Sequence, residues 1–350
     1  MRRIPGTVAS TLALLALTAL AACAGSSRPD AATNYRTRLE SVTPQVQGLD
    51  VEIVDNSYHI EVTNRTDDEI VVFGYQDEPY LRIGPDGVAE NVRSPATYIN
   101  RDRQGTTAVP GSADPDAEPE WATISDGNVA RWHDHRTHWM GTVDPPQVQA
   151  ARDERHVVIP DWVVPVRAGT TSVEVRGDLI WVPGSSTLPW WCLGVVALAG
   201  TLGLARSSAW RRGLAAAVAA VVVVDAAHAW GVASAVSGGG LEDHLAQPGA
   251  GRLVSLAGWV VGVVAIALLT RSRRSGLHAA ALTGLCLAVG GGLANLDSLS
   301  RPDLLFAGPD GLARVATAAS LGIGLGLLGG ATWRLLIGPR QVVEDEAVPG

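Results

Sequence analysis

The chain has 350 residues, a formal net charge of −8 and 47% hydrophobic residues, which is length enough for two domains of ordinary size. The acidic balance argues against nucleic acid as a partner, because phosphate contacts need a basic face. Cys23, Cys192 and Cys286 are the only cysteines, so residues 30–187 hold neither an internal disulfide nor a cysteine-based zinc site.

Arg2 and Arg3 precede an apolar run from about Thr7 to Ala22, the pattern of a signal peptide over residues 1–22. Ala19-Leu20-Ala21 offers a small-x-small cleavage site. Leu20-Ala21-Ala22-Cys23 also resembles a bacterial lipobox, which would make Cys23 a lipid-modified N-terminus. A retained first helix is the third reading, and all three export the segment that follows. Residues 24–48 are expected as a linker, with Gly, Ser, Ala and Pro concentrated over 24–34.

Residues 49–185 read as a β domain. Val51 and Ile53, then Tyr58, Ile60 and Val62, alternate with polar residues around the turn Asp55-Asn56-Ser57, which predicts a hairpin. Further strands are expected at Ile70–Phe73, Tyr80–Ile83, Val157–Ile159, Val163–Val166 and Ser172–Val182. Gly84-Pro85-Asp86-Gly87 and Arg167-Ala168-Gly169-Thr170 are expected as turns, and residues 104–120 as a long surface loop. Short strands, frequent turns and no amphipathic helix predict an exported all-β sandwich, immunoglobulin-like or cupredoxin-like.

One stretch concentrates candidate ligands. Trp132-His133-Asp134-His135-Arg136-Thr137-His138-Trp139-Met140 holds three of the eight histidines and one of the two methionines. On a strand over 129–140, His133 and His135 share a face about 7 Å apart, with His138, Met140 and Asp134 on the other. A bend at Arg136-Thr137 would gather them. A helix would bring only His135 and His138 to a common face. Imidazoles with a thioether suit copper, so His133, His135, His138 and Met140 form a candidate metal set. His59 and His156 would join if the fold brings them near. The opposing expectation is a packing cluster, with Trp132 and Trp139 in the core, Arg136 stacked on one of them and the histidines bonded to backbone.

Arg131–Met140, with Glu78–Gly87 and Ser94–Tyr98, resembles a group of uncharacterised actinobacterial membrane proteins that carry an exported β domain. That resemblance covers the polar half and brings no activity with it. A looser architectural likeness, a β domain joined to a CopD-like membrane bundle, is to exported copper-handling proteins.

Residues 188–336 are expected as an α-helical five-span bundle, with spans at 188–205, 213–235, 252–270, 276–296 and 312–334. Leu188-Pro189-Trp190-Trp191 supplies an interfacial aromatic pair. Arg206, Arg211 and Arg212, then Arg271, Arg273 and Arg274, then Arg334 and Arg340 occupy one set of loops. Glu242, Asp243, Asp297, Asp303 and Asp310 dominate the other. The positive-inside rule puts the arginine loops and the tail at 337–350 in the cytoplasm and the β domain outside. Asp225 and His228, one turn apart in the second span, form an intramembrane polar pair of the kind that marks ion or proton paths or joins helices, for instance by a hydrogen bond to Ser255 or Asn295 on neighbouring spans. Gly290-Gly291-Gly292 is expected to allow close helix approach.

No nucleophile elbow, P-loop, dinucleotide fingerprint or zinc-protease motif occurs, which makes an enzyme the weaker class. Two functions remain. One is an integral membrane protein whose extracytoplasmic β domain binds or handles copper. The other is a metal-free cell-envelope interaction or structural module anchored by its bundle. In both, the lipid bilayer is a partner and the chain is a multi-pass protein of the cell membrane.

Overall fold

The computed structural model describes residues 33–84, 87–102, 105–235, 250–271 and 274–337. The expected signal peptide, Cys23, the loop residues Glu242, Asp243 and His244, and the tail beyond Ile337 lie outside the described residues. The chain divides into two compact units between Gly184 and Ser185.

The first unit is built from two antiparallel sheets. The larger runs in the order β1 (Tyr35–Thr43), β10 (Thr171–Trp181), β9 (His156–Ala168), β4 (Ile70–Phe73), β5 (Pro79–Gly84), β6 (Gly87–Asn91) and β7 (Trp121–Ser125). The smaller is β2 (Leu49–Val54), β3 (His59–Asn64) and β8 (Val129–Trp132). Period-two alternation explains the hairpin β2–β3. Leu49 and Val51 turn inward while Asp50 and Glu52 face water, and Val51 pairs with Val62 across the ladder. Val51, Ile60, Val62 and Trp132 of the small sheet share one core with Ile70, Ile83, Val164, Val166, Val173 and Val175 of the large one. Each such aliphatic side chain, fully buried, contributes about 1.5–3 kcal/mol of transfer free energy.

Several expectations change. The linker expected over 24–48 contains β1, which pairs with β10 along Tyr35–Thr43. Its inward residue Thr37 is polar and its neighbours Arg36, Arg38 and Glu40 are charged, so the strand carries little hydrophobic signature. β6 and β7 were not foreseen, and each is a five-residue strand. The strands expected at Val157–Ile159 and Val163–Val166 are parts of β9, interrupted by register shifts against β10. Asp161, within β9, has a φ of +48°.

Among the described residues, the second unit has five helices long and apolar enough to cross a membrane: Leu188–Arg206, Trp210–Ala235, Arg252–Thr270, Ser275–Leu299 and Asp310–Leu336. They match the expected spans. At one end the arginines bind across helices. Arg334 donates to the Ala205 carbonyl at 2.6 Å and lies over the rings of Trp210 and Trp333, and Arg206 also stacks on Trp333. Arg274 donates to the Leu335 carbonyl at 3.1 Å. The fourth span departs from a continuous α-helix. It is α-helical over Ser275–Leu287, π-helical over Ala288–Gly292 and 3₁₀ over Leu293–Leu299.

Candidate functional site

The geometry of the central stretch starts from Asp134, whose side chain is fully buried. Its carboxylate accepts from Arg136 Nε at 2.9 Å and Nη2 at 2.8 Å, from Trp132 Nε1 at 2.9 Å and from the Arg136 amide at 3.1 Å. Burial alone would raise this carboxyl, but the hydrogen bonds and charge of Arg136, helped by Trp132, outweigh it and hold the group below the usual carboxylate range. The bond to the Arg136 amide caps a single 3₁₀ turn, His135–Thr137. The strand expected to run to Met140 therefore ends at Trp132, and the bend at Arg136-Thr137 is present.

Arg136 lies over the Tyr75 ring at 5.0 Å, not over a tryptophan, and reaches the carbonyls of Phe73 and Gly74. The Tyr75 hydroxyl accepts the His135 amide and donates to Asn100. Burial pushes the Tyr75 phenol well above its usual range. From β1, Thr37 donates to the Thr137 carbonyl at 3.1 Å. The stretch is thus tied to the loop after β4 and to β1 through Asp134, Arg136 and Thr137.

The turn gathers the imidazoles. His133 lies 4.1 Å from His138 and 5.2 Å from His135 between ring centroids, and it stacks on Tyr58 at 4.4 Å. Tyr58 stands beside a strained hairpin loop, where Asp55, Asn56 and Ser57 have φ of 53°, 57° and 66°. That loop offers two carbonyls inward. His133 Nδ1 donates to Tyr58 O at 3.0 Å, and His138 Nε2 donates to Ser57 O at 2.9 Å. His138 Nδ1 lies 2.8 Å from the Thr137 hydroxyl and 2.9 Å from the Asp134 carbonyl. His135 Nε2 donates to Asp102 O at 2.9 Å. His59 is held by Asp55 at 2.8 Å and meets Tyr58 edge-on.

These bonds decide which nitrogens are available to a ligand. Both ring nitrogens of His138 are engaged, and one each of His133 and His135. Met140 is exposed, and His156 donates to the Ala151 carbonyl at 2.6 Å. Of the four-residue set, the three imidazoles His133, His135 and His138 are brought together. Among the described residues no group of three or more His, Cys, Asp or Glu side chains is placed to hold a metal ion. One atom stands apart: His133 Nε2 is buried and has no hydrogen-bond partner. Burial first, then His138, pushes the His133 pKa down to about 3, against the opposing pull of the Tyr58 carbonyl, so the ring is neutral.

The bundle holds a second polar site. Asp225 is buried, and its Oδ2 accepts from Trp259 Nε1 of the third span at 2.7 Å. Ser255, one turn before Trp259, faces the same carboxylate. The expected pairing with His228 does not form. His228 stacks instead on Phe306 at 5.8 Å. The reason is direction: the carboxylate turns toward the third and fourth spans, where Gly291 leaves room for it. A Cβ at Gly291 would lie 1.8 Å from Asp225 Oδ1 and 3.1 Å from Ser320 Cβ. The triple glycine therefore accommodates a carboxylate rather than a neighbouring helix alone. Asn295, in the distorted turn that follows, donates to the carbonyls of Gly290 and Gly291 at 3.1 Å each. Ser255 is the neighbouring-span partner the sequence offered; Trp259, four residues on along the same helix, was not foreseen, and that spacing could have flagged it. Nothing in the sequence points to Ser320 or Tyr58.

No family model, curated protein or solved structure matches the chain, and the functional reading rests on its own chemistry.

A neutral buried His133 has a measurable consequence. Its folded pKa of about 3 lies below the ordinary 6.5, so the unfolded chain binds the proton first as pH falls. The contribution is complete above about pH 6.5 and is lost at about 1.4 kcal/mol per pH unit below it, for a one-proton difference. Thermal melts of residues 29–184 between about pH 7.5 and pH 4.5, a window chosen above the carboxylates, should show this slope. His133→Phe keeps a ring on Tyr58 and removes the proton site, so its slope should be shallower. Equal slopes in parent and variant would contradict the assignment.

Proposed function

We propose that this is a multi-pass membrane protein that presents its β domain outside the cell membrane as a metal-free interaction module, with the helical bundle as its anchor. The observation that carries the metal-free reading is the engagement of both His138 ring nitrogens, Nε2 with the Ser57 carbonyl and Nδ1 beside the Asp134 carbonyl and the Thr137 hydroxyl. His138 would have to give up a bond to join a copper site, whereas the carbonyl bonds of His133 and His135 use one ring nitrogen each. The stretch instead joins the loop after β2, the loop after β4 and β1, which is the role of a structural clasp.

The orientation rests on the arginine end of the bundle. Arg206, Arg274 and Arg334 bind carbonyls or tryptophan rings there, and Arg211 stacks on Trp210. Clustered arginines mark the cytoplasmic side. The first span enters at Leu188 and ends at Arg206, so the chain before Leu188 belongs to the outer side. The resemblance to actinobacterial membrane proteins with an exported β domain is consistent with this reading. An immunoglobulin-like or cupredoxin-like sandwich is the form proposed for the two sheets, supported by their shared core.

A second reading, copper binding, has one observation in its favour: the bare Nε2 of His133, with the His138 ring beside it.

Thiol labelling tests the orientation. With Cys192 and Cys286 replaced by alanine, Ser208→Cys should resist a membrane-impermeant maleimide in intact cells and Ala307→Cys should react. The reverse pattern would overturn the orientation. For the metal question, residues 29–184 titrated with copper at neutral pH should show no stoichiometric uptake. Saturable one-to-one binding in the parent that disappears in His133→Phe would establish the second reading instead.

A further inference from the structure

A carboxylate deep in an apolar bundle is costly unless a cation, donors or a proton matches it. Asp225 is 2% exposed, and no Lys, Arg or His forms an ion pair with it among the described residues. Its Oδ2 has the Trp259 indole N–H, and the Ser255 hydroxyl of the same span also bonds the carboxylate. Its Oδ1 points into the space that a side chain at Gly291 would fill, next to Ser320. Ser320 is 1% exposed, and its hydroxyl has no hydrogen-bond partner. Two polar groups from different spans therefore converge on one buried point, one of them with its hydrogen-bonding capacity unused.

The fourth span is distorted at the same point. Its π turn, Ala288–Gly292, includes Gly291, and the following 3₁₀ turn has a non-helical residue at Asn295 (φ −119°, ψ 17°). π-helical turns inside helices concentrate at functional sites, and broken membrane helices surround ion sites in transporters. The distortion does not create an oxygen cage, however. The freed carbonyls of Gly290 and Gly291 are taken by the Asn295 amide. A hard metal cation needs several oxygens in its first shell, and this place offers a carboxylate and hydroxyls beside an indole N–H that would repel it.

We propose that Asp225 is a reversible proton-binding site of the membrane bundle, and that the unused Ser320 hydroxyl beside it is the group that answers a change in its ionisation. The hydroxyl has one donor and two lone pairs. It can donate to an ionised carboxylate or accept from a protonated one. Other titratable groups lie on the helices packed around the second span, including Arg252 at the start of the third, Asp297 near the end of the fourth and Asp310 at the start of the fifth. His228 on its own helix stacks on Phe306, and Cys192, His278, Cys286 and Arg314 on the first, fourth and fifth spans make no hydrogen bond to the Asp225 carboxylate. The inference is independent of the role proposed for the β domain.

The full-length protein in native membranes is treated with dicyclohexylcarbodiimide, a membrane-soluble reagent that adds to protonated carboxyls, and the modified residue is located by mass spectrometry. Asp225 should be labelled, and labelling should fall at least tenfold as pH is raised. Replacing choline chloride by sodium chloride at constant ionic strength should leave labelling unchanged. Ser320→Ala removes the hydroxyl but little volume, and it should move the pH midpoint of labelling. Absence of label on Asp225 at every pH, or label independent of pH, would overturn the proposal. Protection by sodium would also overturn it, in favour of an alkali-cation site. An unmoved midpoint in Ser320→Ala would remove Ser320 from the site.

Discussion

A fully buried carboxylate must be matched within hydrogen-bond distance, and in the β domain the matching of Asp134 fixes everything around it. Arg136 supplies two guanidinium donors, Trp132 an indole donor and the chain its own amide at Arg136. Satisfying the group from residues two positions away on either side forces the backbone out of the strand and into a 3₁₀ turn. That turn in turn places His133 and His138 against Tyr58 and points Arg136 at the Phe73 and Gly74 carbonyls. The clustering of imidazoles is a consequence of folding around one charge. It produces a clasp in which ring nitrogens serve backbone carbonyls.

The bundle meets the same constraint by a different route. Asp225 has no cationic partner among the described residues, so Trp259 and Ser255 supply the polar contacts, and the fourth span distorts beside the carboxylate. Close packing elsewhere in the bundle shows what this distortion costs in regularity. At Gly284 and Gly324 the fourth and fifth spans approach so closely that a Cβ on either would meet the other's carbonyl, at 2.4 Å and 2.7 Å. Regular backbone-to-backbone packing is available to these helices, yet a few residues further along the fourth span gives up its α-helical pattern around Asp225. The π turn faces the Asp225 carboxylate at Gly291 and packs on the Leu321 backbone of the fifth span at Gly292.

Much of the fold was legible because hydrophobic period is a local property. The hairpin Leu49–Asn64, the strand Ile70–Phe73 and all five apolar helices follow from alternation or run length. β1 was not legible, since its inward Thr37 satisfies itself by a hydrogen bond to Thr137 rather than by apolar burial. The site was legible in part. The sequence marked the stretch and allowed the bend, but it gave no sign that carbonyls of the Asp55–Ser57 loop would occupy the ring nitrogens, because backbone acceptors have no residue code. Likewise Asp225 and His228 are neighbours by helical spacing, but side-chain direction was decided by Trp259 and Gly291, which are 34 residues along the chain and on another span respectively.

The central claim is that Asp134 and Arg136 act as a unit that holds the clasp. A double-mutant cycle in the β domain, read by urea denaturation, measures this directly. Arg136→Met alone leaves a buried, uncompensated carboxylate and should cost about 3–5 kcal/mol. Adding Asp134→Asn removes that charge while keeping an acceptor, so the double variant should be more stable than the sum of the two single losses by over about 1 kcal/mol. Losses that add to within about 0.5 kcal/mol would mean that the two residues act independently, and would contradict the account.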